Sequence, residues 1–204
     1  MNSHDKQARR RRRWRLALLL LVALPFIPEL IIYAVAGVAL AGGCLVDDDW
    51  VCWIVGVRVS DIMANALKAD LLVAAGFGMG FVVVWLALCY LVITLGWARL
   101  ISRLLLALLV SMIFAVPPYI MPMLTIYNFA DAHCQPNEGG VGSCVIFGGN
   151  VGAPAHWAVA TLWYVFTGLP LALAAFAIYS IFVVVMRLIA MRRGAASPPV
   201  SRHS

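Results

Sequence analysis

The sequence predicts an all-α membrane protein: a bundle of four transmembrane helices with both termini in the cytoplasm. Three observations lead there. Of 204 residues, 64% are hydrophobic and only 12% are charged, a balance outside that of soluble globular domains. The stretch from Leu71 to Ala98 holds no charged residue at all. About 20 such residues cross the roughly 30 Å hydrocarbon core, and a helix pairs every backbone N–H and C=O within the segment. The basic residues are also unevenly placed. Lys6, Arg9 to Arg13, Arg15, Arg99, Arg103, Arg187, Arg192, Arg193 and Arg202 fall in segments that a cytoplasmic N-terminus leaves inside, whereas the two outer loops carry only Arg58 and Lys68. That is the positive-inside pattern.

The chain divides into a basic tail (1–15), a membrane domain (16–191) and a polar, disordered tail (192–204). Spans are expected at about 16–43, 71–98, 104–127 and 157–191, with outer loops at 44–69 and 128–155. In the first tail Arg9 to Arg13 and Arg15 bracket Trp14. Like charges keep such a run unfolded; beside a span they set topology and attract anionic headgroups. They are not a nucleic-acid footprint, which needs a basic face on a water-soluble fold.

Pro25, Pro28 and Glu29 interrupt the first apolar stretch, and proline kinks or ends a helix. Two arrangements follow. One kinked helix buries Glu29 near mid-membrane. Alternatively, Trp14 to Leu24 lies along the cytoplasmic face, and a span from Leu30 to Val46 leaves Glu29 at the interface. An ionisable residue deep in the membrane is functional by default. Leu40-Ala41-Gly42-Gly43-Cys44 resembles a lipoprotein cleavage box, but the apolar stretch exceeds the usual 7–15 residues or so, and no cleavage is expected.

In the first loop Asp47 to Asp49 read as a solvated acidic turn. Trp50 and Trp53, like Trp14 and Trp157, belong at the headgroups, where an amphipathic ring is satisfied at both ends. The β-branched residues between Val51 and Val59 predict a short strand. Ser60 or Asp61 is expected to cap a short helix through Lys68 that leads into the second span. Gly76 and Gly80, Gly37 and Ala41, and Gly168 and Ala172 form small-xxx-small pairs, predicting close helix packing within the bundle. Pro117, Pro118 and Pro122 predict a kink or unwound end in the third span.

The sharpest constellation is the cysteines. Cys89 lies within the second span, while Cys44 and Cys52 share one outer loop and Cys134 and Cys144 the other. In an oxidising compartment these predict loop-closing disulfides, Cys44–Cys52 and Cys134–Cys144, although four cysteines allow three connectivities. Four spans, both ends inside and a cysteine pair in each outer loop is similar to the layout of the DsbB-type membrane thiol oxidases, which pass electrons from a periplasmic thiol partner to a quinone. The resemblance implies catalytic Cys44, Cys52, Cys134 and Cys144, with His133 tuning Cys134 and Arg58 near a quinone. The close CxxC of that family is absent, since seven residues lie between Cys44 and Cys52, and CxxC spacing is what lowers a thiol pKa. Structural disulfides are therefore preferred, with redox catalysis the alternative.

Other chemistries are excluded. Asp131, His133, Cys134, Cys144 and His156 are metal-ligand types in no zinc spacing, and oxidised cysteines do not ligate. Of the four histidines only His156 lies near a span, which excludes a bis-histidine haem. Glu29, Thr94, Ser111, Thr161 and Thr167 are too scattered for a transport path. GxSxG and P-loop motifs are absent. No catalytic, cofactor or metal site is expected. The chain reads as a non-enzymatic, multi-pass protein of a bacterial inner membrane. Its stapled loops, above all Asn128 to Ala155, contact a membrane or periplasmic protein, as in toxin-immunity proteins or accessory subunits. The bilayer and a second copy of the chain complete the expected partners, with no nucleic acid among them.

Overall fold

The structure is a computed structural model that describes residues 3–45, 51–131, 134 and 142–195. It is mostly helical. Three helical runs, Arg9–Ala41, Val59–Gly96 and Gly152–Arg193, are long and apolar enough to cross a membrane. A fourth follows if Leu100–Ala115 and Pro117–Phe129, bent by 46° at their junction, count as one span. Length and composition thus make this a multi-pass membrane protein.

Every one of these runs is broken part-way. The first consists of α1 (Ser3–Ala23) and α2 (Ile27–Ala41), joined by a 3-10 turn at Leu24–Phe26, so the basic run Arg9 to Arg13 is helical and not unfolded, being continuous with the apolar helix that follows it. Pro25 and Pro28 sit in the first turns after each junction, where a missing N–H is tolerated. The helix continues through the prolines, and of the two arrangements open for the N-terminal stretch it is the single kinked helix that forms. Trp14 and Leu21 lie along the second run, beside Gly96 and Trp85, with Trp85 Nε1 donating to Leu21 O at 3.0 Å. The first run stops at Ala41 rather than Val46. Gly42 N donates to Val38 O, and Gly43 adopts a φ of +86°, a glycine helix stop.

The second run joins α3 (Val59–Gly76) to α4 (Val82–Gly96) through a π-helical turn, Phe77–Phe81, in which Gly80 has a φ of +91°. The third is α5 (Leu100–Ala115) and α6 (Pro117–Phe129), broken at Val116 before the two prolines. The fourth joins α7 (Gly152–Thr161) to α8 (Val165–Ala195) by a 3-10 turn at Leu162–Tyr164.

Between the paired runs stand two hairpins, β1 (Trp53–Ile54) with β2 (Val57–Arg58) and β3 (Val145–Ile146) with β4 (Gly149–Asn150), both antiparallel. The expected single strand is thus a two-stranded hairpin. Both turns place two residues at positive φ, Val55 and Gly56 in one and Phe147 and Gly148 in the other. That is the backbone of a type I′ turn, whose twist matches the strands. The helix after the first hairpin begins at Val59 with Arg58 at its N-cap and no side-chain cap. Ser60 and Asp61 are therefore not caps; Asp61 instead accepts from Arg58 Nε at 2.9 Å.

The hairpins expose an internal repeat. Cys52-Trp53-Ile54-Val55-Gly56-Val57-Arg58-Val59 and Cys144-Val145-Ile146-Phe147-Gly148-Gly149-Asn150-Val151 share the pattern Cys-x-Ile-x-Gly-x-x-Val. In each copy the closing valine donates its N–H to the cysteine carbonyl, Val59 to Cys52 and Val151 to Cys144. The spacing of Cys52 and Cys144 also separates Pro25 from Pro117 and Gly76 from Gly168. Each half of the chain is one broken helix, a cysteine-clamped hairpin and a second broken helix. The hairpins touch, since Cys52 N donates to Phe147 O and Gly149 packs on Ser60, so the two halves run the same way.

Two apolar cores fill the bundle. One, toward the hairpins, gathers Ile32, Ala36, Met63, Leu67, Ile126, Ile146 and Phe147. The other, toward the opposite end, gathers Phe77, Leu86, Ile93, Phe114, Tyr119 and Ala172. Small-residue pairs contribute less to packing than their spacing predicts. A Cβ at Gly37, Gly76 or Gly80 would meet nothing within 4 Å, whereas one at Gly78 or Gly168 would strike Tyr164 or Tyr119. The kink at Gly80, whose φ of +91° lies outside the helical region, is the physical reason at Gly76 and Gly80: it takes residues four apart off a common face.

Candidate functional site

Where the two cores meet, two acidic side chains are buried among apolar ones. Glu29 in α2 and Asp70 in α3 are 4% and 2% exposed, and their carboxyl groups lie within interaction range of each other. Thr125 in α6 donates its hydroxyl to Glu29 Oε1 at 2.7 Å. The second oxygens, Glu29 Oε2 and Asp70 Oδ2, are buried and have no hydrogen-bond partner. Among the described residues the Arg58–Asp61 contact is an ion pair, and no cation faces Glu29 or Asp70. Lys68, two residues before Asp70, points from the opposite side of α3 and is exposed.

Local sequence explains the placement. Met63, Ala66, Leu67, Asp70, Leu71 and Ala74 form one buried stripe of α3, at the spacing of a single helix face. Asp70 occupies a core position of that stripe. Ile32, Ala36 and Ala39 do the same for α2 below Glu29. Burying a carboxylate is costly unless it is paired, and no described basic side chain pairs with these two. The arrangement can therefore bind a proton or a small cation. An aromatic layer adjoins it: Phe77 stacks on Phe114 at 5.4 Å and Tyr119 meets Tyr164 edge-on at 6.4 Å. The Tyr119 hydroxyl is buried without a partner.

The sequence alone does not single out Asp70, because it stands at the edge of the first loop, just before the uncharged run that opens at Leu71. The signal that could have found it is the buried stripe, visible once the helix is extended back to Val59.

The cysteines form the second feature. Cys44 and Cys52, and Cys134 and Cys144, sit at disulfide distance, with Cα separations of 6.0 and 4.3 Å. Cys52 and Cys144 are buried beneath their hairpins, and Cys89 is buried and free. Asp131, Cys134 and Cys144 place ligand atoms within 4.8 Å of one another. Asp131 is occupied structurally: its Oδ1 accepts from Val145 N at 3.2 Å, and its own N–H donates to Val145 O. His133, Asp47 to Asp49 and Trp50 lie outside the described residues. His156 packs against Trp157.

The other tryptophans separate. Trp14 is half-buried beside Gly96, while Trp53 and Trp157 are about 60% exposed. The polar residues scattered along the spans are taken up by helix ties. Tyr90 and Ser111 share a hydrogen bond of 2.7 Å, Thr94 and Tyr179 one of 3.0 Å, and Thr161 and Thr167 donate to carbonyls of their own helices.

No protein-family model, curated protein or solved structure matches this chain.

Proposed function

We propose that the chain is a non-enzymatic, four-span protein of a bacterial inner membrane, with both termini cytoplasmic, whose disulfide-clamped hairpins dock a periplasmic or membrane protein partner. The basic residues support the orientation: the hairpin end carries Arg58 and Lys68, while Arg15, Arg99, Arg103 and Arg187 lie at the opposite end, on the side the positive-inside rule assigns to the cytoplasm. That puts both cysteine pairs on the oxidising side. Trp53 and Trp157 meet the headgroups there.

One observation carries the docking role. The two copies of the hairpin motif are used differently. The second is internal, with Ile146 and Phe147 fully buried in the core. The first leaves Val57 exposed and Val55 96% exposed at its tip. Val55 is a β-branched residue at a φ of +49°, a strained conformation held by the two-residue turn between the paired strands. A clamped, apolar tip is pre-organised for a partner, so little ordering is lost on binding. The cysteines serve this clamp. Each disulfide closes its own loop, and Cys52 and Cys144 are 7% and 2% exposed, which shields those two sulfurs from an incoming thiolate.

A photoreactive amino acid placed at Val55 in intact cells is expected to give a discrete protein adduct, while one at Trp157 gives lipid adducts alone. Lipid adducts alone from Val55 would show that the tip is buried in the bilayer and overturn the docking role.

The carboxyl pair favours a second reading, that the bundle takes up and releases a proton. If Arg15 marks the inner boundary, Glu29 lies about 21 Å along the helix at about 1.5 Å per residue, inside the roughly 30 Å core. Ionisable residues there mark proton or ion sites, and sites between repeats are built from discontinuous helices. A pH step on the reconstituted protein is expected to change a protonated-carboxyl band in its infrared difference spectrum. Glu29→Gln and Asp70→Asn should each remove that band, and its survival in both variants would refute the reading.

A further inference from the structure

At the end opposite the hairpins, α5 and α8 enclose a groove of about 1090 Å³. Arg99, Ser102, Arg103 and Arg187 line its polar side, and Phe182 and Met186 stand on its apolar side. The groove also receives the N-terminus of α5, a helix of 16 residues with Arg99 at the N-cap and no side-chain cap. The first helical turn bond there is Arg103 N to Arg99 O, so the N–H groups of Leu100, Ile101 and Ser102 face the groove's end without an intrahelical acceptor. A helix N-terminus favours an anion.

Three arginines thus line one groove with the positive end of a helix, and the helices that form the groove offer them no counter-charge. There is no Asp or Glu between Asp70 and Asp131, or after Glu138, so α4, α5 and α8 contain none. Arg103 is held by its Nε–H bond to Trp97 O, which orients its terminal nitrogens. Arg99 and Arg187 are exposed. A cation cluster bounded by apolar side chains is matched by an anion that carries its own apolar surface.

We propose that this groove binds an anionic phospholipid, its phosphate held by Arg99, Arg103, Arg187 and the α5 N-terminus and its acyl chains laid along Phe182 and Met186. Basic pockets between membrane helices hold such headgroups. Three arginines suit a headgroup with two phosphates, so cardiolipin is expected to bind more tightly than phosphatidylglycerol. The groove needs only that the chain sits in a bilayer; it does not depend on the docking role of the hairpins or on the proton site.

The test is native mass spectrometry of the full chain in detergent, titrated separately with cardiolipin, phosphatidylglycerol, phosphatidylcholine and inorganic phosphate. One tightly held cardiolipin is expected, with phosphatidylcholine and phosphate binding far more weakly. At about 1 kcal/mol per charge, Arg99→Gln and Arg187→Gln should each weaken cardiolipin about five-fold and the double variant roughly thirty-fold. Arg103 is left intact because it ties the α4–α5 turn, and circular dichroism confirms that each variant is folded. A variant with Arg10 and Arg11 changed to Gln should lose only the diffuse headgroup attraction of the tail and keep its one tightly held cardiolipin. Equal binding of cardiolipin and phosphatidylcholine, binding that follows Arg10 and Arg11 instead of Arg99 and Arg187, or full displacement by inorganic phosphate would each overturn the proposal.

Discussion

Cys144→Ser is expected to lower the stability of the protein by about 2–4 kcal/mol, the usual cost of opening a native disulfide. Cys144 begins the second hairpin and is itself buried. The hairpin it holds supplies Ile146 and Phe147 to the core, and Phe147 O accepts from the first hairpin. Releasing Cys134 from Cys144 therefore loosens a segment on which both the core and the other hairpin rest. Cys52→Ser should cost less, because the hairpin it holds is exposed at its tip. Thermal unfolding in detergent checks this. Wild-type protein treated with a reductant should fall to the level of the Cys44, Cys52, Cys134 and Cys144 quadruple serine variant. If Cys144→Ser unfolds at the wild-type temperature, the bridge does not support the fold.

Gly78→Ala should be far more damaging than Gly76→Ala, at about 1–3 kcal/mol. Its Cβ would lie 2.6 Å from Tyr164 Cγ and within 2.9 Å of both Cδ atoms. These are atoms at the base of the ring, and they cannot be moved by rotating its far end. Tyr164 is further confined by Tyr119, which is completely buried. Gly76→Ala and Gly37→Ala should be tolerated, as nothing lies within 4 Å of either Cβ and alanine is the better helix former. The small-xxx-small spacing alone predicts the reverse order for Gly76 and Gly78, so thermal unfolding of the two variants discriminates between spacing and geometry.

These two cases show what was legible in the sequence. The helical membrane class followed from uninterrupted apolar runs, and the cysteine pairing from which cysteines share a loop. Both signals are local. Pro117 and Pro118 announced the break between α5 and α6 for the same reason. Less legible was anything set by contacts between distant segments. Glu29 was conspicuous as a charge in an apolar stretch, but Asp70 was hidden at a loop boundary, and Thr125 is 96 residues from the glutamate it serves. The π-helical turn at Phe77–Phe81 gave no local sign beyond its glycines, and it relocates the close approach from Gly76 and Gly80 to Gly78. The repeated Cys-x-Ile-x-Gly-x-x-Val pattern was in plain view. It emerges only when the two loops are laid against each other, because flanking residues such as Trp53 and Val145 differ with the exposure of the two hairpins.

The central claim is that the outer cysteines form permanent clamps and not an electron path. Mass-tagged maleimide labelling of the protein from cells with and without respiratory quinones tests it most directly. The account predicts that Cys44, Cys52, Cys134 and Cys144 stay blocked in both conditions, with Cys89 alone labelled after denaturation. Two further tags appearing when quinones are depleted would contradict it and make the chain a redox enzyme.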